Sequence, residues 1–564
     1  DVGHPYVSTV GSIQYAVQCI RPDVPHALSV TRRYQAKTGE AHWSAVKTIL
    51  KYLKRTKDMF LIYGSGELLL EGYNEASFQS DDADAKSQSE LGVVPSIAEP
   101  VVIFCDNNRA IAQATKLRSH QRSKNILRCY HLLRKMVSRA DIKMDQVSLA
   151  ENTADPLTKL ISQIAHTEHL DKMGLRLMGW LALGQGPVTY DITKYGAKSG
   201  ADISQALLDA WKEACNSTSP STIVIPRGTW SLSQVKLLGT NKAPLELQVQ
   251  GTLQANPNPG QLPDNKGEWI TINYVNYFTL SGGGVFDGQG QQAWKQNDCH
   301  KNRNCAKLPM NLSFNFINNS IIQDVTTKDS KNFHVNCISS HNVTFRRFTI
   351  SAPGDSPNTD GIHLGRDTMI NIVDSIIKTG DDCISIGDET KELHIQNVTC
   401  GPGHGISVGS LGGYAEEKDV QGIYVKNCTF IGTQNGVRVK TWPSAPATLT
   451  VSDLHFEDLI MDNVSSPIII DQEYCPHNLC KKDRPSSIKI SNVSIKNVRG
   501  TTNSAEAVTF ICSGLKPCEN VEVGDIDLTY TGNQGPITTK CANVKPKFVG
   551  KQNPPVCATT AQSA

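Results

Sequence analysis

The feature that most restricts the fold of this sequence is a short polar motif that returns about every 30 residues in its second part. Each copy follows a short β-rich run, and most copies read Asn-Val-Thr, Asn-Val-Ser or Asn-Cys-Thr. The repeated positions are Asn342, Asp374, Asn397, Asn427, Asn463, Asn492 and Asn520. A repeat of this length made of short strands is typical of a solenoid, in which each repeat buries its apolar face against its neighbours.

This repeat predicts an all-β fold, a right-handed parallel β-helix (solenoid), over residues 187–564. Each rung is expected to contribute about three strands and to stack about 4.8 Å above the previous rung. Asparagine at the same turn of each rung can bond the backbone and the asparagine above it. An amphipathic segment from Ile203 to Cys215 is predicted to form a helix that covers one end of the solenoid.

The first 180 residues have a different character. Apolar residues at helical spacing over 45–53 predict a helix, and the apolar run 101–105 predicts a buried strand, so this part is expected to be α/β. Of 16 cysteines, all but Cys19, Cys105 and Cys129 lie from Cys215 onward, which leaves 13 in the second part. That density indicates an oxidising destination, and an odd number leaves at least one thiol unpaired.

Charge and hydropathy exclude several classes of protein. Lys and Arg number 56 against 54 Asp and Glu, a net charge of +2, which argues against a polycation that coats nucleic acid. No apolar run is long enough to predict a membrane-spanning helix. Residues 1–28 lack the pattern of a secretory signal peptide, so we expect that this chain as written is not exported.

Eight Asn-x-Ser/Thr sequons occur, all in the second part. The last five coincide with the repeated turn and are predicted to face the stack, closed to glycans. Asn216, Asn311 and Asn318 are the better glycan acceptors by this reasoning.

The richest chemistry lies in four motifs separated by about one rung each. They are Asn358-Thr359-Asp360, Gly380-Asp381-Asp382, Gly403-His404-Gly405 and Arg438-Val439-Lys440. Residues one rung apart stack on one face, so these motifs are expected to line a single groove. Glycoside hydrolysis needs one carboxylic acid for the leaving oxygen and one carboxylate for water, and neighbouring carboxylates raise one another's pKa. Arg438 and Lys440 alternate on a strand and suit a sugar that carries a carboxylate.

In this order the four motifs resemble the signature segments of the polygalacturonases, glycoside hydrolase family 28, over residues 187–564. The opening residues 190–197 resemble plant members, most closely the pollen exopolygalacturonases. The resemblance implies inverting hydrolysis of α-1,4-galacturonosyl bonds in pectin or polygalacturonic acid. It also implies a monomeric, extracellular cell-wall enzyme that needs no cofactor and no metal. Exo-action rests on the pollen-like resemblance, because the motifs themselves do not distinguish exo from endo cleavage.

The resemblance also implies residue roles. Asp381 is the general acid, Asp360 and Asp382 activate water, and His404 keeps the acid protonated and oriented. Substrate binding is assigned to Asn358, Arg438, Lys440 and Tyr474. Tyr474 can equally be a packed aromatic beside a disulfide. The implied disulfides are Cys383–Cys400, Cys475–Cys480 and Cys512–Cys518.

Residues 1–180 resemble a decayed copia-type retrotransposon reverse transcriptase and ribonuclease H. That enzyme needs four carboxylates for two Mg²⁺ ions. Here only Asp106 and Asp155 match, Glu75 replaces the usual first Asp, and the segment with the second acid is missing. We therefore expect an inactive segment without functional nucleic-acid binding.

Three other functions remain as alternatives. A pectate lyase would need Ca²⁺-binding acids, and no dedicated cluster of them is evident. Ribonuclease H activity is opposed by the missing acid. A catalytically dead wall-binding protein is opposed by the three aspartates, all of which are present. The products distinguish these alternatives: reducing ends, an unsaturated chromophore or a cleaved RNA–DNA hybrid.

Overall fold

The computed structural model describes residues 187–557 except 262–266, 299–307 and 479. Of the first 186 positions it describes 24–32, 39–56, five short strands and a few isolated residues. The chain divides into two compact units, residues 1–183 and 184–564. None of the helices in the described residues is long and apolar enough to cross a membrane.

The described part of the first unit contains two helices, Pro25–Arg32 and Glu40–Arg55. Val24, Leu28, Val46 and Ile49 are buried in one cluster, as the helical spacing predicts. Two of its strands pair antiparallel: Met59–Leu61 and Leu175–Leu177. Three others form a parallel sheet: Glu71–Asn74, Val101–Cys105 and Ile142–Gln146. The strand predicted over 101–105 is therefore confirmed. The expected ribonuclease H acids Glu75, Asp106 and Asp155 lie outside the described residues.

The second unit is a parallel β-helix, which confirms the predicted fold. Its described residues form a sheet of 11 parallel strands, which we call the groove sheet, and a sheet of 21 parallel strands, the back sheet. Most rungs contribute one strand to the groove sheet and two to the back sheet. Three short 3-10 helices, Ile192–Tyr195, Pro259–Gln261 and Pro476–Asn478, and a helix, Gln291–Gln296, lie between strands.

The groove-sheet strands are Val235–Leu238, Glu268–Asn273, Met310–Asn315, Val335–Ile338, Ile362–Gly365, Ile384–Ile386, Ile406–Leu411, Asn435–Thr441, Ser466–Asp471, Glu506–Ile511 and Thr538–Ala542. The back-sheet strands are Val188–Asp191, Ser221–Ile225, Thr229–Ser231, Leu245–Val249, Thr252–Gln254, Phe278–Ser281, Val285–Asp287, Asn318–Gln323, Thr326–Lys328, His341–Arg346, Thr349–Ser351, Thr368–Val373, Ile376–Lys378, Lys391–Gln396, Thr399–Cys400, Val420–Lys426, Thr429–Ile431, Thr450–Val464, Lys489–Thr502, Glu519–Tyr530 and Lys547–Asn553.

Apolar side chains that alternate along each strand build the core. In the groove sheet Ile362, Ile384 and Ile406 stand in register on successive rungs, and all three are buried. Burying one such side chain stabilises the fold by roughly 1.5–3 kcal/mol, and every rung repeats the gain. The side chains that alternate with these isoleucines along each strand point away from the core and can form a functional site.

The repeated asparagine turns have a common backbone reason. All seven positions, from Asn342 to Asn520, have positive φ, a conformation that asparagine and aspartate tolerate better than most residues. Several side chains bond the rung below: the amide of Asn397 donates to Asp374 over 2.6 Å, and Asn342 donates to Asn319 over 2.8 Å. The ladder is nevertheless exposed, so the expectation that these sequons face the stack is wrong. Asn311 is only 2% exposed, so its choice as a glycan acceptor is also wrong.

A helix, Ser204–Asn216, buries Leu207, Ala210 and Trp211 in the core, which confirms the predicted cover of the first rungs. The three predicted disulfides, Cys383–Cys400, Cys475–Cys480 and Cys512–Cys518, are present. A fourth bond, Cys541–Cys557, was not predicted. Cys215, Cys337 and Cys428 are buried free thiols.

Candidate active site

Successive groove-sheet strands carry the predicted carboxylates into one column. Asp360, Asp382 and His404 each lie two residues before Ile362, Ile384 and Ile406, the strand starts that stand in register. The parallel register therefore brings residues that are 22 positions apart in sequence (360 to 382, and 382 to 404) onto neighbouring rungs. Asp381 precedes Asp382 directly, and its carboxylate accepts the backbone N–H of Asp382 over 2.8 Å.

Asp382 is the centre of the ionic network. It is 2% exposed, and it accepts Arg438 Nη2 at 2.8 Å and Lys440 Nζ at 2.7 Å. The hydroxyl of Ser407 donates to the same Oδ1 over 2.8 Å. Burying a carboxylate costs free energy unless charge partners and hydrogen bonds compensate, and here both are supplied.

Asp381 pairs with His404. Nδ1 of His404 lies 2.9 Å from Asp381 Oδ1. Burial raises the pKa of Asp381, but the hydrogen bond and charge of His404 outweigh burial and hold that pKa below its usual value. Asp381 is therefore ionised in the free protein, with the His404 imidazole in direct contact.

Asp360 has the opposite electrostatic setting. It is 6% exposed, and burial, followed by the charges of Asp381 and Asp382, raises its pKa well above the usual range. A hydrogen bond from Ser385 and the charge of Lys440 oppose this shift. Asp360 and Asp381 thus have unlike proton affinities, as an acid and a base in one site require.

Tyr474 completes the cationic side of the site. Its ring lies 5.3 Å from Lys440 Nζ and 5.9 Å from the Arg438 guanidinium carbon. Arg438 and Lys440 lie two residues apart on strand Asn435–Thr441 and point the same way, as predicted. In the free protein both cations contact Asp382.

Asn358 lies at the edge of this group. It occupies an exposed turn with positive φ, and its side-chain amide donates to Asn332 on the preceding rung. This bond ties the turn that carries Asp360 to its neighbour.

Sequence reasoning missed a layer of residues that position the carboxylates. Thr359 is fully buried, and its hydroxyl lies 2.7 Å from the Ser356 hydroxyl. The same oxygen accepts the backbone N–H of Gly380 at 3.1 Å, and this hydrogen bond joins the first of the four motifs to the second. Ser407 bridges Asp382 and Arg438 Nε. The alternation of side chains along the strand could have predicted Ser407, because it pairs in register with Arg438 and so shares its face of the sheet.

His363 is a second missed residue. Its Nδ1 lies 2.8 Å from the Ser385 hydroxyl, and its ring packs 5.2 Å from Phe333. Burial lowers the pKa of His363 to about 4, so the ring is neutral in mildly acidic solution. His363 therefore acts as a hydrogen-bonding partner of Ser385, which in turn bonds Asp360.

A metal ion has potential ligands here, since single atoms of Asp381, Asp382 and His404 lie within 4.8 Å of one another. All three residues already have partners, because Arg438 and Lys440 contact Asp382, and His404 and Asp381 contact each other. The arrangement fits acid–base chemistry on an anionic ligand better than it fits a cation.

A parallel β-helix that carries three clustered carboxyl groups, two of them with pKa values shifted in opposite directions, beside two cations is typical of a glycoside hydrolase. The chain belongs to glycosyl hydrolases family 28, whose sequence model matches residues 215–554. It is 58% identical over 375 residues to a polygalacturonase of Nicotiana tabacum, covering 66% of this chain and 93% of the relative. It is 55% identical over 366 residues to an exopolygalacturonase of Oenothera organensis, covering 64% and 100%.

Solved structures support the fold. An endo-xylogalacturonan hydrolase of Aspergillus tubingensis superposes with a TM-score of 0.54 at 23% identity, covering 64% of this chain and 96% of that one. A hyperthermoactive exopolygalacturonase of Thermotoga maritima gives 0.54 at 18% identity, with 64% and 91% covered.

Proposed function

We propose that this protein hydrolyses α-1,4-galacturonosyl bonds of pectin and polygalacturonic acid, with inversion and from the chain end. The observation that carries the proposal is the column of Asp360, Asp381 and Asp382 beside Arg438 and Lys440. An anionic sugar needs cations for binding, and its glycosidic bond needs an acid and a base, and this column supplies all of them. Similarity to plant proteins named polygalacturonase and exopolygalacturonase supports the same substrate.

Asp381 is the proposed general acid. His404 and Lys440 hold its pKa low in the free protein, so it must gain proton affinity when substrate binds. A sugar carboxylate that neutralises Lys440 removes one of these influences and raises the pKa of Asp381. A sugar that covers Asp381, whose side chain is 26% exposed in the free protein, would also exclude water from its carboxylate, and this loss of solvation raises the pKa of Asp381 further. The protonated Asp381 then protonates the departing glycosidic oxygen.

Asp360 and Asp382 are proposed to activate the attacking water. Arg438 and Lys440 hold Asp382 in place beside the water. The raised pKa of Asp360 makes its ionised form a strong proton acceptor, so Asp360 has to release its own proton before the water attacks. Water attacks the anomeric carbon, Asp360 takes its proton, and the bond to the leaving oxygen breaks on the side of Asp381. One displacement inverts the anomeric carbon.

Reducing-sugar release from polygalacturonic acid at about pH 5 tests this proposal with the full-length chain. The Asp381→Asn variant should lose roughly 100-fold or more of the rate. Asp374→Asn is the matched control, because Asp374 lies on the exposed turn where other rungs carry asparagine, and it should keep full activity. Monomer as the sole product supports exo-action, a ladder of oligomers contradicts it, and no release from folded protein contradicts the proposal as a whole.

The remaining proposals concern the rest of the chain and its setting. We propose that residues 1–180 are an inactive relic of a retrotransposon reverse transcriptase and ribonuclease H. They should cleave no RNA–DNA hybrid with Mg²⁺, and cleavage would contradict this. We propose that residues 187–564 act as a monomeric polygalacturonase domain in the cell wall. The disulfides support an oxidising compartment. Light scattering and localisation of a tagged chain test the oligomeric state and the compartment.

A further inference from the structure

Two buried serines on neighbouring groove-sheet strands link catalytic carboxylates to basic side chains. Ser385 and Ser407 pair in register and are 3% and 0% exposed. The hydroxyl of Ser407 accepts Arg438 Nε at 3.1 Å and donates to Asp382 over 2.8 Å. Arg438 has only donors and stays charged, so this chain of hydrogen bonds runs in one direction, from arginine through serine to carboxylate.

Ser385 forms a corresponding chain with other partners. It pairs in register with His363, and its hydroxyl lies 2.8 Å from Nδ1 of that ring. Its second partner is Asp360, with which it shares a hydrogen bond. A histidine therefore takes the place in this chain that an arginine takes in the other.

The two basic side chains differ in what they offer to the serine. Burial lowers the pKa of His363 to about 4, so its ring is neutral in mildly acidic solution. In a neutral imidazole, Nδ1 carries either a proton or a lone pair, and it therefore either donates to a hydroxyl or accepts from it. The chain of His363, Ser385 and Asp360 can thus run in both directions, which the Arg438 chain cannot.

Each direction suits one protonation state of Asp360. When Asp360 is ionised, the Nδ1–H of His363 donates to Ser385, and the Ser385 hydroxyl donates to the carboxylate. When Asp360 is protonated, its O–H donates to Ser385, and the Ser385 hydroxyl turns to the Nδ1 lone pair. Ser385 and Asp360 are both more than nine-tenths buried, where a polar atom without a partner costs free energy. Reversal of the chain keeps these groups paired in both states.

The surroundings of His363 hold its ring in place and leave it access to water. The ring packs 5.2 Å from the ring of Phe333, and Asn336 on the preceding strand pairs with His363 in register. The residue is partly exposed, so its ring proton can exchange with solvent between Nδ1 and Nε2. Burial keeps the ring neutral although charged groups act on it from three directions: Asp382, Lys440 and Asp388.

We propose that His363 is a positioning residue of the hydrolysis, which acts through the Ser385 hydroxyl to keep Asp360 hydrogen-bonded both before and after Asp360 takes the proton of the attacking water. The inference rests on the proposed function, in which Asp360 begins the displacement ionised and ends it protonated. The Ser385 hydroxyl then turns from Asp360 to Nδ1, while the ring proton moves to Nε2 by exchange with water. The proton on Asp360 leaves to solvent after the product departs, and this returns the chain to its first direction.

The test measures kcat and KM for polygalacturonic acid with the full-length protein. His363→Phe keeps a ring beside Phe333 but removes both ring nitrogens. It should lower kcat roughly ten-fold and leave KM unchanged, because a buried hydrogen bond is lost away from the substrate. His363→Asn should keep kcat within about two-fold of the wild type, because its amide can donate or accept in place of Nδ1.

Ser385→Ala removes the link between His363 and Asp360, and it should also lower kcat roughly ten-fold. The Ser385 hydrogen bond opposes the raised pKa of Asp360, so its loss should move the acid limb of the kcat/KM profile to higher pH. Addition of His363→Phe to Ser385→Ala should cause no further loss, since His363 then has no hydroxyl to act through.

His455→Phe is the matched control, since His455 also stacks on an aromatic ring, that of Tyr424 at 5.0 Å, but lies on the back sheet. It should match the wild type in kcat and KM. Three results would overturn the inference while the wild type remains active: a His363→Asn variant as slow as His363→Phe, a further loss in the double variant, or a loss confined to KM. Inactivity of the folded wild type on all galacturonides would instead overturn the proposed function.

Discussion

Two carboxylates of the β-helix are each held between two cations, yet their surroundings differ. Asp382 meets Arg438 and Lys440 at 2.8 and 2.7 Å in the groove and is 2% exposed. Glu522 meets Lys496 and Lys547 at 2.9 and 3.2 Å on the back sheet, and its side chain is 33% exposed. The two cations of Asp382 come from one strand, whereas those of Glu522 come from the strands on either side of it. The two sites differ most clearly in the access of water to the carboxylate.

The difference explains where function resides in a repetitive fold. In water an ion pair contributes little, because solvation and screening offset its attraction. Buried charges instead cost desolvation free energy, and removing one partner leaves the others uncompensated. The Asp382 network is therefore expected to add little net stability to the fold, and its charges are better suited to a role in chemistry.

The largest effect is expected when the buried network is broken. Asp382→Asn should lower kcat about 1,000-fold, within the range for loss of an acid–base group, and should lower the free energy of unfolding by about 3 kcal/mol. Reducing-sugar assays and urea unfolding measure the two quantities. A variant that stays active would remove Asp382 from the mechanism.

A buried carboxyl with no cation sharpens the comparison. Asp367 is fully buried, accepts the Ser340 and Gly365 N–H groups, and burial raises its pKa to about 8. Because the unfolded value is about 4, its contribution is fully present below about pH 4 and is lost as pH rises through about 8. The advantage of the wild type over Asp367→Asn should shrink by roughly 2–3 kcal/mol between about pH 5 and pH 7.

Urea unfolding at both pH values measures this change. The asparagine side chain of the variant cannot ionise, so the substitution removes the linked proton while it keeps one acceptor. A pH-independent difference between the two proteins would show that Asp367 is ionised in the folded state.

A smaller effect is expected at the exposed turns. Asn397 has a φ of 54°, where a Cβ-bearing residue without a polar group is strained, and its amide donates to Asp374. Asn397→Ala should lower the free energy of unfolding by about 1 kcal/mol, whereas Asn397→Gly should be close to neutral. Equal losses in both variants would assign the effect to the hydrogen bond instead of the backbone.

The smallest effect is expected at the exposed counterpart of Asp382. Glu522→Gln should leave both the unfolding midpoint and kcat unchanged within error, at low and at high salt. Measured beside Asp382→Asn under the same conditions, it compares the stability contribution of an exposed carboxylate with that of a buried one, each held by two cations. A comparable loss of stability at Glu522 would mean that the ionic contacts themselves, and not exclusion of water, determine how much such a network contributes.

Much of this architecture is readable from the sequence, because each rung repeats one local rule. Asparagine or aspartate marks the positive-φ turn, alternating isoleucines mark the core, and the catalytic motifs return at the rung interval. The same rule failed at Asn311, which looked like a surface sequon. That residue occupies a groove-sheet strand and bonds Thr327, and only the register reveals this.

The electrostatics of the site could not be predicted in the same way. The three aspartates look alike in sequence, but burial and neighbours raise the pKa of Asp360 and lower that of Asp381. The ion pairs of Asp382 with Arg438 and Lys440 join residues that are 56 and 58 positions apart in the sequence. Such long-range contacts follow from the stacked fold and not from local pattern.

The unequal rung lengths carry an evolutionary consequence. Asp360 and Asp382 are 22 residues apart, and so are Asp382 and His404, but His404 and Arg438 are 34 apart; much of that surplus lies in the loop with Tyr414 and Glu417. Because strands keep their register while loops absorb insertions, such a chain can lengthen or shorten that loop without moving a catalytic atom. The length of this loop can thus drift among related chains while the column of carboxylates keeps its spacing.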